Sequence, residues 1–197
     1  MTYAERAERY ARRVIAGEIV ACKLTRLACE RFLNDLKRED WKWRFDEALA
    51  SRACTFVEHL PHIKGQWARQ RLKITLEDWQ VFILANIFGW VDAHTGLRRF
   101  LTVYLEVARK NAKSTLAAGI GLYMLAADGE PGAEVYSAAT TGDQARIVFE
   151  VARQMVLREP DFIHNGIDPQ RHGLYMPDDA RKFEPLNAEG STLDGLN

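Results

Sequence analysis

Phe100-Leu101-Thr102-Val103-Tyr104-Leu105-Glu106-Val107 runs directly into Ala108-Arg109-Lys110-Asn111-Ala112-Lys113-Ser114-Thr115, and the reading of that joint decides the fold. The first half is β-branched and aromatic, with apolar residues on both alternating faces. That pattern suits a central strand covered on both sides. The second half is a polar loop opening an apolar helix, expected over about 113–127. A second strand is expected at 133–138, AEVYSA, and a further helix runs to about Leu157, ahead of Pro160. Thr141 and Gln144 make a capping-box pattern at its start. Strand, helix, strand, helix predicts βαβ units. Residues 100–107 and 133–138 are expected as parallel strands of one sheet, with 113–127 as the right-handed crossover.

Upstream, Thr75 and Asp78 resemble another capping box, opening a helix that Gly89 closes. Phe45, Leu49, Ala53, Phe56, Val57 and Leu60 follow the three- and four-residue steps of one helical face, and Pro61 stops it. Segment 18–36 lacks proline and glycine and also reads as helix. Residues 1–60 are therefore expected as an N-terminal helical region, and residues 61–197 as an α/β core. The tail, 163–197, is turn-rich, with one strand expected near 182–187.

Composition sets the outer bounds. The 197 residues are 47% hydrophobic and 27% charged, which is a folded and not a disordered composition. Net charge is zero, but residues 1–75 hold 16 Lys/Arg against 10 Asp/Glu. That basic half suits either a solvated helix face or contact with DNA phosphates. Cys22, Cys29 and Cys54 form no CxxC pair, which argues against a zinc site or a disulfide framework. The N-terminus, MTYAERAERYARR, carries no secretory pattern, and no apolar run reaches the roughly 18 residues of a membrane span. His59, His62, His94, His164 and His172 are scattered and read as structural or exposed.

The loop at 107–115 carries the chemistry. A phosphate-binding loop has the pattern GxxxxGK[ST]. Here Lys113-Ser114 is in place, while Val107 and Ala112 stand in the two glycine slots. The setting matches the mechanism, because backbone N–H groups at a helix N-terminus point at phosphate oxygens. Lys113 then reaches the β/γ-phosphates of ATP, and the Ser114 hydroxyl ligates Mg²⁺. Ala112 fits if the backbone there need not take positive φ. The plainer alternative is a solvated basic turn capping a helix.

Together these residues resemble the tailed-phage terminase large subunits. RKNAKST is similar to that family's deviant Walker A loop. Leu76-Glu77-Asp78-Trp79-Gln80, with an apolar helix ending Phe88-Gly89-Trp90, is similar to its adenine-binding Q motif. Tyr136-Ser137-Ala138-Ala139-Thr140-Thr141, then Asp143-Gln144-Ala145, resembles the next family motif. Trp43-Arg44-Phe45-Asp46 resembles the segment before the ATPase core. The resemblance implies a P-loop NTPase (ASCE-type) parallel sheet flanked by helices. It implies ATP bound by Gln80, Arg109, Lys110, Asn111, Ala112, Lys113, Ser114 and Thr115. Lys113 matches the phosphate-binding lysine and Ser114 the Mg²⁺ ligand. Arg109 matches a cis-acting arginine finger, and Gln80 the adenine-reading glutamine. Thr140 and Thr141 suit γ-phosphate sensing or helix capping. The family role is ATP hydrolysis for packaging double-stranded viral DNA, with a terminase small subunit, a portal protein and a ring of like subunits as partners. The setting is the bacterial host cytoplasm, with no membrane.

The sequence departs from that family pattern in one respect. No apolar strand ends in Asp-Glu, and the adjacent acidic pair Asp178-Asp179 follows Pro177 without an expected strand before it. The expectation is therefore a fragment ending before Walker B and the nuclease, inactive alone. A helicase-like ATPase fragment and a non-catalytic DNA- or partner-binding module using the basic N-terminal region are the competing readings. Ala112 argues against the first, and the ordered set of motifs against the second.

Overall fold

The computed structural model describes residues 1–187. Packing divides the chain into two compact units, neither continuous in sequence: Met1–Thr55 with Thr75–Glu106, and Phe56–Ile74 with the chain from Val107 onward.

The first unit is mainly helical. Helix α1 (Tyr3–Ile15) starts at a reciprocal capping box, in which the Thr2 hydroxyl accepts the Glu5 N–H at 3.1 Å and the Glu5 carboxylate accepts the Thr2 N–H at 2.7 Å. Its buried face is small, made of Ala4, Ala7, Ala11 and Val14, so neighbouring helices approach closely. Helix α2 (Lys23–Asp35) buries Cys29 and Phe32. The short strand β1 (Trp43–Phe45) pairs antiparallel with β2 (Trp90–Asp92), placing helices α3 (Glu47–His59) and α5 (Asp78–Gly89) between them in sequence. Phe32 is the hub. Its ring meets Phe45, Phe82 and Trp90 edge-on at 5.5, 5.5 and 6.2 Å, a geometry that aromatic quadrupoles favour. Arg6 and Arg9 of α1 both bind Asp78 at the start of α5, at 3.0 and 2.7 Å.

The second unit is built on a four-stranded sheet in the order β3-β6-β5-β4. Strand β3 (Glu134–Ala139) lies parallel to β6 (Arg181–Asn187), while β5 (Leu174–Met176) is antiparallel to both β6 and β4 (Asp168–Pro169). Helices α6 (Lys113–Ala126) and α7 (Gly142–Arg158) pack on β3 and β6 and on each other. Two short helices, α4 (Gly65–Arg69) and α8 (Pro160–His164), complete the unit. Strand side chains alternate: Val135 and Phe183 are buried, whereas Glu134, Tyr136, Lys182 and Glu184 join a polar network. Gly121 lets α6 descend onto β6, since a Cβ there would stand 2.7 Å from the Phe183 ring.

Four sequence expectations are corrected. Residues 100–107 form no strand. Leu101 is 90% and Tyr104 80% exposed, and no ladder partner lies beside them among the described residues. Strand-forming residues need a neighbouring edge to hydrogen-bond, and composition cannot supply one. The sheet is mixed and not parallel, with one parallel pairing and two antiparallel ones. The box opening α5 is Glu77 with Gln80, two residues beyond Thr75, because the chain enters the helix at Asp78. Lastly, β5 runs right up to Pro177, so the acidic pair does follow a strand; it sits in a 3-10 turn, with Asp179 bound to Arg181 at 2.7 Å.

Candidate nucleotide-binding loop

The loop at 107–115 is built by alternating backbone hand. Lys110 (φ +68°) and Ala112 (φ +54°) are left-handed, whereas the intervening Asn111 is not. Such alternation turns successive N–H groups toward one concavity, a form suited to anions. The Asn111 side-chain amide donates to the carbonyls of Ala108 and Arg109, at 3.2 and 3.3 Å, and so pins the turn. Asparagine suits this position because its short amide competes well for nearby backbone groups.

The chain then enters α6 with Ala112 as N-cap and Lys113, Ser114 and Thr115 as the first helical turn. No side chain caps this end. By contrast, α1 has Thr2, α5 has the Glu77/Gln80 box and α7 has Thr141, whose hydroxyl accepts the Gln144 N–H at 3.3 Å. The α6 N–H groups thus stay available at the positive end of a 14-residue helix dipole. Arg109, Lys110 and Lys113 are exposed, and among the described residues none of them has an ion-pair partner. No acidic residue occurs from 107 to 127. This corner can therefore take a polyanion through backbone donors and three exposed cations.

Gln80 belongs to the first unit. It is 6% exposed, and its side-chain carbonyl accepts the Glu77 N–H at 2.9 Å, while the Glu77 carboxylate accepts the Gln80 backbone N–H. The carbonyl end is thus engaged in capping α5, which leaves the amide Nε2 as the donor for any further partner. Thr141 caps α7, and the Thr140 hydroxyl donates to the Gln144 side chain at 3.0 Å. Ser137 ties the end of β3 to α7, donating to the Ala145 carbonyl at 3.0 Å. The expectation that Ala112 fills the glycine slot without positive φ is corrected, since it is left-handed at φ +54°; neither alanine nor lysine prefers that conformation, and Asn111 was the available signal for the turn. Among the described residues, no three His, Cys, Asp or Glu side chains gather as a metal site, and no helix is long and apolar enough to cross a membrane.

The chain is similar to known proteins. Over 97 residues the chain is 34% identical to the terminase large subunit of Enterobacteria phage HK97, a match covering 47% of this chain and 19% of that protein. The crystal structure of the HK97 bacteriophage large terminase superposes with a TM-score of 0.59 at 25% identity, covering 75% of this chain and 29% of that one. The chain thus spans about a fifth to a third of these longer relatives. The family model for the terminase large subunit ATPase domain matches residues 78–197, well over half of the chain, and the chain belongs to that family.

Proposed function

We propose that this chain is the ATP-binding part of a motor that packages viral DNA into a procapsid. The observation carrying the proposal is the uncapped N-terminus of α6 beneath Arg109, Lys110 and Lys113. A triphosphate supplies the acceptors that those N–H groups lack, and its charge offsets three unpaired cations. Lys113 binds the β/γ-phosphates as a point charge. Arg109 presents its planar fork to the charge that spreads over a transferring phosphoryl group. Asn111 holds the loop in shape, while the N–H groups of Lys110, Ala112 and Thr115 line the phosphates. Gln80 reads the adenine edge through Nε2.

The Ser114 hydroxyl, on the first turn of α6, fits a Mg²⁺ ligand, and the metal would neutralise charge on the β- and γ-phosphates. Hydrolysis further requires a carboxylate to orient water. Asp179 is bound to Arg181, and Glu184 accepts the Tyr175 hydroxyl at 2.7 Å, so both already serve other partners. In this reading the full-length motor turns over ATP while acting on double-stranded viral DNA with a small subunit, a portal and like subunits in a ring, in the host cytoplasm.

The test is a displacement assay with a fluorescent ATP analogue. Unlabelled ATP and tripolyphosphate should both displace it, and Ser114→Ala should remove the Mg²⁺ dependence while leaving metal-free binding in place. Displacement by adenosine alone, with tripolyphosphate inert, would assign the affinity to something other than this loop. A phosphate-release assay should show the 197-residue chain at the background of Lys113→Ala. Turnover clearly above it would mean a catalytic carboxylate lies within the chain, with Asp178, Asp179 and Glu184 the first to substitute.

A further inference from the structure

Within the second unit, the chain between Leu60 and Ile74 runs out as a loop and returns to the same point. The Ile74 N–H donates to the Leu60 carbonyl at 2.9 Å, Pro61 and Lys73 form an antiparallel bridge, and the His62 N–H donates to the Leu72 carbonyl at 3.0 Å. Arg158 donates to the His62 carbonyl at 3.1 Å, and Lys73 pairs with Glu159. Leu60 and Ile74 are buried, so the base of this loop is part of the core. Gly65, at φ +76°, turns the chain into α4, and the Leu72 N–H closes back on the Trp67 carbonyl at 3.0 Å. The result is a short projecting loop stapled at its base, of the compact kind that often carries function.

What it carries is unusual for a surface loop. Trp67 is 60% exposed, with its ring against His62 at 4.8 Å. Tryptophan is on average well buried, and here its ring is offered to solvent beside a run of cations. From residue 59 to residue 76 there are four Lys/Arg and no Asp/Glu. Of these cations, Lys64, Arg69 and Arg71 are exposed and have no ion-pair partner among the described residues. A flat aromatic ring among unpaired cations is the arrangement by which unpaired nucleic acid strands are held, with bases stacking on the ring and phosphates meeting the cations. Duplex DNA offers the phosphates but hides its base faces.

We propose that the 62–73 loop binds single-stranded nucleic acid, such as a strand end or an unpaired stretch. Trp67 stacks on a base, and Lys64, Arg69 and Arg71 neutralise phosphates. This surface lies outside the nucleotide-binding loop, and its test runs without ATP, so the two readings stand or fall separately.

The experiment is fluorescence anisotropy of a labelled oligothymidylate of about 20 nucleotides, titrated with the whole chain across a salt series. A duplex of equal length and polyglutamate serve as comparators. Trp67→Ala should weaken single-strand binding about tenfold, the value of one lost base stack, and leave duplex binding unchanged. Trp67→Phe should retain most of the affinity. Combined Lys64→Ala, Arg69→Ala and Arg71→Ala should reduce the log–log salt slope by about two, at roughly 0.7 per single-strand phosphate. All four side chains are exposed, so melting midpoints should not move; if Trp67→Ala does lower its midpoint, Trp67→Phe against Trp67→Leu decides the stacking claim. No single-strand binding by the wild type, binding indifferent to Trp67, or equal competition by polyglutamate would overturn the proposal.

Discussion

The carbonyl of Ala112 accepts the Leu116 N–H at 2.9 Å and starts α6 from a residue held at φ +54°, ψ +20°. Left-handed backbone brings an alanine Cβ close to the following carbonyl, at a cost of about 1–2 kcal/mol. The phosphate-loop pattern has glycine in the corresponding slot, and glycine takes this conformation without the Cβ clash. Ala112→Gly should therefore stabilise the chain. Relief of strain exceeds the extra unfolded-state freedom of glycine, for a net gain of about 0.5–1 kcal/mol and a midpoint rise of roughly 1–4 °C. Ala112→Val should shift the midpoint downward. Differential scanning calorimetry distinguishes these outcomes, and an unchanged or lowered midpoint for Ala112→Gly would mean the loop is not strained there.

Gln80 has two separable duties. Its carbonyl caps α5 through the Glu77 N–H, while its amide is the proposed adenine donor. Gln80→Glu keeps an acceptor for the cap and loses the donor. It should melt below the wild type, because a carboxylate is buried there beside Glu77, yet keep the cap and bind ATP and GTP alike. Gln80→Ala loses both, costing about 1 kcal/mol of stability, and should still bind phosphate. Paired melts and titrations with both nucleotides check this. Full ATP preference in Gln80→Glu would remove Gln80 from base reading.

Glycine in mid-helix normally invites replacement, since alanine gains about 0.5–1 kcal/mol from backbone entropy. Gly121 should reverse that rule. A methyl there meets two atoms of the Phe183 ring, at 2.7 and 2.9 Å. Phe183 is itself held against Phe149, with ring centroids 5.9 Å apart. Gly121→Ala should destabilise by about 1–3 kcal/mol, the usual cost of overpacking. Urea denaturation gives the sign directly.

The helices were largely legible in the sequence because their signals are local. The periodic face of 45–60, Thr141 before α7, and the apolar run after Lys113 all act within a turn or two. The strand expected at 100–107 was not legible, because its apolar residues state only that the segment suits a sheet, and the partner edge is not written in them. The sheet's antiparallel half was hidden for a related reason: β4 and β5 are two and three residues long, too short for a period to show. At the loop, Lys113 and Ser114 were readable from pattern. The left-handed turns at Lys110 and Ala112 were not, since tertiary context overrides the preference of both residues.

Acid should loosen the seam between α1 and α5. Burial opposes ionisation of Asp78, but the bonds from Arg9 and Arg6 outweigh it, so its carboxyl titrates below the ordinary range. A lowered folded value means that its stabilising contribution is present above about pH 4, the ordinary aspartate range, and is lost as pH falls through the lower folded value. Asp78→Asn should be less stable than the wild type at pH 7, and the gap should narrow by pH 3. Urea midpoints at the two pH values measure it, and an equal gap would mean the pair contributes nothing through charge.

The most direct test of the proposed nucleotide-binding loop is isothermal titration of the wild type and of Lys113→Ala with Mg²⁺-ATP. Lys113 is exposed at the first turn of α6, so its replacement should leave the fold intact. Removing it takes away a charge-assisted contact worth about 1.5–3 kcal/mol, so the variant should bind roughly ten- to over a hundredfold more weakly. Equal affinity in the two proteins would contradict the phosphate-binding role of the 107–115 loop.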